Sequence, residues 1–366
     1  GWVSGANQNI AVGEDSGRSV TVGDGNISVG YRALYTATTS GYNVAIGDDA
    51  MRVATAWRCV GIGHAALENV TSSNQTAVGY QAGRSITSGQ NNVALGSAAL
   101  YGVTTGHRNI GIGTNALDNA DAESDNIAIG YDTLGGAVAG GAQNLAIGNY
   151  SLDAAVTGSG NIVLGHSSAS AATSLSNSVV IGYEAVSTGV LTGTRNLILG
   201  YQAMRYATSA QDNVILGSQA CANGNAMTGN QNTIIGESAA KVLTSGHSNI
   251  AIGYTAGDNI TSGSNNVVIG KADVASATGS DQLSISSGDG SPVWITGTSA
   301  GVVDIPGSLT VAGSAVGGTV NLPDIGYVQD HTVALNGGSM GIGRYCFDSL
   351  TGTNGGDGKW NVGLGY

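Results

Sequence analysis

The densest acidic group in the chain is Asp118, Asp121, Glu123 and Asp125, four carboxylates within one predicted turn. Carboxylates suit glycoside hydrolysis when two are held apart across a groove, and Ca²⁺ binding when several oxygens converge. These four have neither the spacing of an EF-hand nor a second carboxylate set opposite them, and read as a solvated polar turn. The histidines His64, His107, His166, His247 and His331 fall in separate stretches with no ligand spacing. Cys59, Cys221 and Cys346 form no motif, and Gly135-Gly136 lacks the Lys-Ser/Thr of a phosphate loop. No nucleophile–base pattern is present. The expectation is a chain without catalysis, metal or cofactor.

What remains is surface recognition. Tyrosine recurs directly after a glycine at Tyr31, Tyr80, Tyr131, Tyr183, Tyr201 and Tyr254. Its apolar ring and polar tip suit contact with carbohydrate or protein, so these six are the receptor-binding candidates; the plainer reading is that they brace adjacent turns of the chain. A wider spacing near Cys221–Gly229 predicts a protruding loop, a second candidate.

The element that positions these tyrosines is a repeat. A five-residue unit, Asn–aliphatic–small or aliphatic–aliphatic–Gly, begins at Asn9, Asn26, Asn43, Cys59, Gln75, Asn92, Asn109 and Asn126, and again at Asn144, Asn161, Ser178, Asn196, Asn213, Asn232, Asn249 and Asn266. Most copies are 17 residues apart, the fifth position is always Gly, and the fourth is always Val, Ile or Leu. A half-motif such as Tyr31-Arg32-Ala33-Leu34 follows, then a polar turn such as Thr104-Thr105-Gly106. Each period reads strand, glycine corner, second short strand, turn. That is too short for a helix pair and fits one coil of a β-solenoid. The Asn column predicts a ladder of side-chain amides.

Composition agrees. Gly 61 in 366 residues, 10% charged residues, three prolines and one phenylalanine suit a narrow, layered interior better than a wide core. The prolines are too few for collagen. A net charge of −12 without a basic run argues against nucleic acid, and no apolar stretch approaches membrane-spanning length. Opening at Gly1 with no signal segment, the chain is expected to be a processed product or a portion of something longer.

Alternation along a strand puts positions two and four on one face and position three on the other. In the unit at 126–130, Ile127 and Ile129 are expected to point into the coil. Position three then faces outwards: Ala45, Ala94 and Ala128 in the first half, Val163, Val180, Ile198, Ile215, Ile234 and Val268 in the second. Apolar residues on both faces require a cover that one coil cannot supply, and the simplest is the same strand in other copies around a common axis. These nine residues are therefore the predicted trimer-axis contacts, packed tightly first and more widely after residue 160. A monomer would carry a long exposed aliphatic stripe, an aggregation hazard.

Segments such as NVALGSAAL, NIGIGTNAL and NIAIGYDTL resemble the repeats of bacteriophage tail fibres and are similar to the head domains of trimeric autotransporter adhesins. The resemblance covers about residues 9–270, and the 17-residue period favours the phage side, since adhesin heads usually carry a shorter one. It implies an all-β parallel β-roll of about sixteen short coils, an intertwined or side-by-side homotrimer, followed by a β-rich shaft segment. The expected divisions are residues 1–282 for the solenoid, 283–314 for the shaft and 315–366 for a non-repetitive cap or joining module, whose last residues, Asn361 to Gly365, match the repeat unit again. The implied role is host attachment from a virion tail, with other tail or fibre proteins and a host-surface glycan or protein as partners and no membrane insertion. The alternatives are a bacterial surface adhesin, a polysaccharide-degrading tailspike, or a structural filament without a receptor.

Overall fold

The computed structural model describes residues 7–136, 140–154, 157–222, 224 and 226–305; residues 306–366, including the predicted cap and most of the second half of the predicted shaft, lie outside them. The described residues are all-β, with no helix. Sixteen three-residue strands, β1 (Ile10–Val12) through β16 (Val267–Ile269), stack as one parallel sheet. Every coil pairs in register with the next, as in Ile127↔Leu145, Ala128↔Ala146 and Ile129↔Ile147. The sheet continues past residue 282. A strand β17 (Leu283–Ser286) adds in parallel to β16, and β18 (Val293–Gly297) and β19 (Val303–Asp304) fold back antiparallel on it.

The glycine that closes each strand is required by the closeness of adjacent coils. A Cβ built on Gly47 would lie 2.6 Å from the carbonyl oxygen of Gly63, and φ there is +129°. No L side chain fits that conformation or that space.

The half-motif after the glycine is not the second strand expected from the sequence. Alternate residues are left-handed, as at Arg32 (φ 52°) and Leu34 (φ 49°), or Asp132 (φ 46°) and Leu134 (φ 52°). The two left-handed residues send their amides to opposite neighbours: Arg32 N–H donates to Glu14 O and Leu34 N–H to Ala50 O, both at 3.1 Å. Left-handed backbone at a non-glycine residue costs roughly 1 kcal/mol, and here the inter-coil hydrogen bonds and the burial of Leu34 offset it.

The ladder Asn residues are at most 2% exposed from Asn26 to Asn266. Asn126 Oδ1 accepts from the backbone N–H of Asn144 at 2.9 Å, while its Nδ2 donates to Gly141 O at 3.1 Å. The amide therefore bridges backbone to backbone, and in later coils it also meets the next amide, as in Asn232 Nδ2 to Asn213 Oδ1 at 3.0 Å. Threonine hydroxyls make a parallel ladder at the polar turn, Thr71 donating to Thr87 O and Thr87 to Thr104 O.

The core corrects the face assignment made from alternation. Ala45, Ala94, Ala128, Val163, Val180, Ile198, Ile215, Ile234 and Val268 are at most 1% exposed within a single chain. They lie inside the coil, and Ile127, Ile129 and their counterparts point outwards. Period-two alternation fixes which residues share a face but not which face is inside. What decides it is the opposite wall. A Cβ on Gly111 would meet Leu100 Cγ at 3.2 Å, and one on Gly61 would meet Met51 Cγ at 2.8 Å, so position three packs on the leucine column of the half-motif.

The change from Ala to Val and Ile after residue 160 is then a change of core volume within the coil, compensated in several coils by the half-motif, and not a widening of an axis. Small third residues such as Ala94, Ala128 and Ala146 share their coils with Leu100, Leu134 and Leu152, whereas Val163, Ile215 and Ile234 share theirs with Ala169, Cys221 and Ala240. Where both positions are small, as at Ala77 and Gly83 or Ala251 and Gly257, the polar-turn wall supplies Ile86 or Ile260. Interiors packed to crystal-like density require such trade-offs.

Candidate functional site: an outward aliphatic stripe and an aromatic ladder

Turning the strands over moves the unsatisfied apolar surface to the other face. Positions two and four form two outward columns along all sixteen strands, aliphatic everywhere except Thr76 and Thr233. They stay half-exposed along the sheet, with Ile46 at 38%, Ile147 at 37% and Ile269 at 39%. At about 4.8 Å per strand the stripe runs for roughly 75 Å. Nothing among the described residues of the chain covers it.

The six tyrosines picked out from the sequence all lie exposed, beside this stripe, at the corner after the glycine. They do not form one site. Tyr31 lies under the Arg32 guanidinium at 4.5 Å, Tyr254 near Lys271 Nζ at 5.5 Å, and Tyr80 stacks on His64 at 5.4 Å. Tyr131, Tyr183 and Tyr201 belong to a continuous ladder over five successive coils that also includes Tyr150 and His166. His166, Tyr183 and Tyr201 stack at 5.3 and 5.7 Å with planes 12° apart. Tyr150 stands at 75° to both neighbours. His166 was legible from the sequence, since it occupies the same post-glycine position as the tyrosines. Tyr150 was hidden because Asn149 takes that position, and Asn149 Oδ1 accepts from the Tyr131 N–H at 2.9 Å.

The acidic turn separates into individual roles. Asp125 accepts from Arg108 Nη2 at 2.8 Å, which holds its carboxyl below the usual range. Glu123 accepts from the backbone N–H groups of Asp121, Ala122 and Gly140. Asp118 instead faces carboxylates of the next two coils: burial, then Asp132 and Asp153, pushes it up to about 6. Near the last coils, burial and Asp258 raise Asp273, and a cavity of about 180 Å³ is lined by Thr255, Asp258, Lys271, Ala272 and Asp273. Among the described residues no three His, Cys, Asp or Glu side chains are placed to hold a metal ion.

The two thiols among the described residues are interior groups. Cys59 takes an Asn place in the ladder, with its N–H on Asn43 Oδ1 at 2.9 Å, and burial pushes it up to about 11. Cys221 takes a leucine-column place, and burial pushes it up to about 12. In the expected loop after Cys221, Gly224 and Ala226 are exposed while Met227 turns back into the core. His331 and Cys346 lie outside the described residues. No protein-family model matches the chain, and no curated protein matches it.

Proposed function

We propose that the chain is a structural fibre of a phage tail that works as a homotrimer and presents host-surface recognition, without catalysis. The outward aliphatic stripe carries this reading. Thirty partly exposed Val, Ile and Leu side chains, ten of them 36% exposed or more, make one continuous apolar patch along the whole sheet. A soluble monomer rarely tolerates a patch of that size.

The best cover is the same stripe in other copies. A cyclic axis parallel to the stack sets each coil level with its counterparts, so all sixteen strands are matched at one spacing. No segment among the described residues has that length and period. Three copies follow the resemblance of the repeats to tail fibres and trimeric adhesin heads. The contact residues are then positions two and four, and the third-position residues named from the sequence serve each copy's own core.

Stacked coils with shared hydrogen bonds give rigid reach, and several copies multiply weak receptor contacts. The test is the mass of the purified chain by sedimentation equilibrium, with electron microscopy of the same sample. Three copies in thin rods are expected. A folded, soluble single chain at micromolar concentration overturns the reading.

A further inference from the structure

We propose that the aromatic ladder from Tyr131 to Tyr201 is a binding platform for an uncharged polysaccharide lying along the stack. The ladder is local, which separates it from the contact between copies. The post-glycine position holds Thr114 in the coil before Tyr131 and Ser218 in the coil after Tyr201, whereas the aliphatic columns run the whole sheet. A surface confined to five coils fits a ligand of that length.

Its geometry offers ring faces at two places. His166, Tyr183 and Tyr201 stack on one another, so a ring turned 75° from His166 directs its face out of the stacking direction. That ring is Tyr150, at 39% exposure. At the far end the next coil offers Ser218 in place of an aromatic ring, and Tyr201 is 48% exposed. Sugar rings present apolar C–H faces to such surfaces and hydroxyls to their rim.

The rim is polar and planar. Asp132 hydrogen-bonds with the Tyr131 hydroxyl and pushes it up, and Glu184 sits beside Tyr183, where Gln202 Nε2 donates to it at 2.8 Å. Carboxylate and amide oxygens accept from hydroxyls in pairs. Glu184 is neutralised by Arg205 at 3.1 Å, while Asp132 has Asp118 and Asp153 as charged neighbours. With a net charge of −12 behind it, the platform repels polyanions and suits neutral chains.

The platform names the receptor class for the fibre reading and rests on it only for multivalency. Affinity electrophoresis of the full chain through gels containing soluble mannan, dextran or hydroxyethyl cellulose, with heparin as the acidic polymer, tests it. Retardation by at least one neutral polymer and none by heparin is expected. Tyr150→Ala with Tyr201→Ala should weaken it about tenfold, with circular dichroism and sedimentation unchanged, while Tyr42→Ala, at an exposed ring outside the ladder, leaves retardation intact. No retardation by any of the three neutral polymers, equal retardation of the double variant, or retardation by heparin alone overturns the proposal. So does a double variant that loses its assembly, which assigns the rings to the contact between copies. A wild-type chain that binds a neutral polymer yet sediments as a monomer refutes the fibre and leaves the platform standing.

Discussion

Ile86 Cδ1 lies 3.0 Å from the point where a Cβ on Gly83 would sit, so one residue occupies the volume that the other gives up. In the next coil the same two places hold Leu100 and Val103, and in the one after, Leu117 and Ala120. The pair is a swap between two walls of one core. Ile86→Ala should cost about 2–4 kcal/mol through the cavity it leaves, and Gly83→Leu alone about 1–3 kcal/mol through overpacking. The double variant reproduces the composition seen at Leu117 and Ala120, and leucine already adopts the left-handed conformation there (Leu117, φ 54°). Its loss should be smaller than the sum of the two by at least about 1 kcal/mol, read from denaturant midpoints; simple additivity would refute the swap.

The buried amide ladder predicts which replacements are tolerated. Asn126→Leu removes the acceptor of the Asn144 N–H and the donor to Gly141 O. Leaving buried backbone groups unpaired costs about 1–3 kcal/mol each. Asn213→Ser should lose less, because Ser178 already accepts from the Asn196 N–H through its hydroxyl at 3.1 Å. Hydrogen exchange at the Asn144 amide, accelerated in Asn126→Leu, checks the local origin of the loss.

Strand, register and the Asn and Gly columns were legible in the sequence because each is a position that repeats. Which face was inside was not legible, because Ile127 and Ala128 are both apolar and alternation alone treats them alike. The leucine of the half-motif held the answer. Leu100 and Leu134 are large where Ala94 and Ala128 are small, and Ala169 is small where Val163 is large. Opposed volumes at the two positions of these coils mark residues that share a core, although Val180 with Val186 and Ile198 with Met204 are large at both. The alternating left-handed backbone of the half-motif had no such signal, since residues as different as Arg32, Asp49 and Gln81 adopt it. The aromatic ladder was partly visible, as a column of tyrosines, and became continuous only once Tyr150 and His166 were placed in it.

Two carboxylates make opposite pH predictions. Asp118 is raised by burial and by Asp132 and Asp153 to about 6, against an ordinary 3.8. Its ionisation opposes folding, so the penalty is absent below about pH 4, grows as pH rises to about 6 and is complete above. Asp118→Asn should raise the melting temperature at pH 7, and the gain over wild type should vanish by pH 4. For Glu68, burial pushes the carboxyl up, but the guanidinium groups of Arg52 and Arg84, each 2.6 Å away, outweigh it and hold the group below its ordinary value. Its stabilisation is present above the unfolded value and is lost as pH falls through the folded one. Glu68→Gln should therefore destabilise at pH 7 and match wild type in acid.

The face assignment itself is testable at three adjacent residues. Ala128 is fully buried, while Ile127 and Ile129 on either side point outwards. A lysine at Ala128 has to enter a filled core with an unpaired charge, which no repacking of the leucine column accommodates. Ala128→Lys should lose the β-sheet circular dichroism signal or melt far below wild type. Ile129→Lys with Ile147→Lys places two charges on neighbouring strands of the stripe, where water reaches them in a single chain and copies exclude it in an assembly. That variant should keep its β-sheet signal and fall to the monomer mass in sedimentation equilibrium. The reverse outcome, a folded Ala128→Lys chain and an unfolded stripe variant, would restore the orientation that alternation alone suggested.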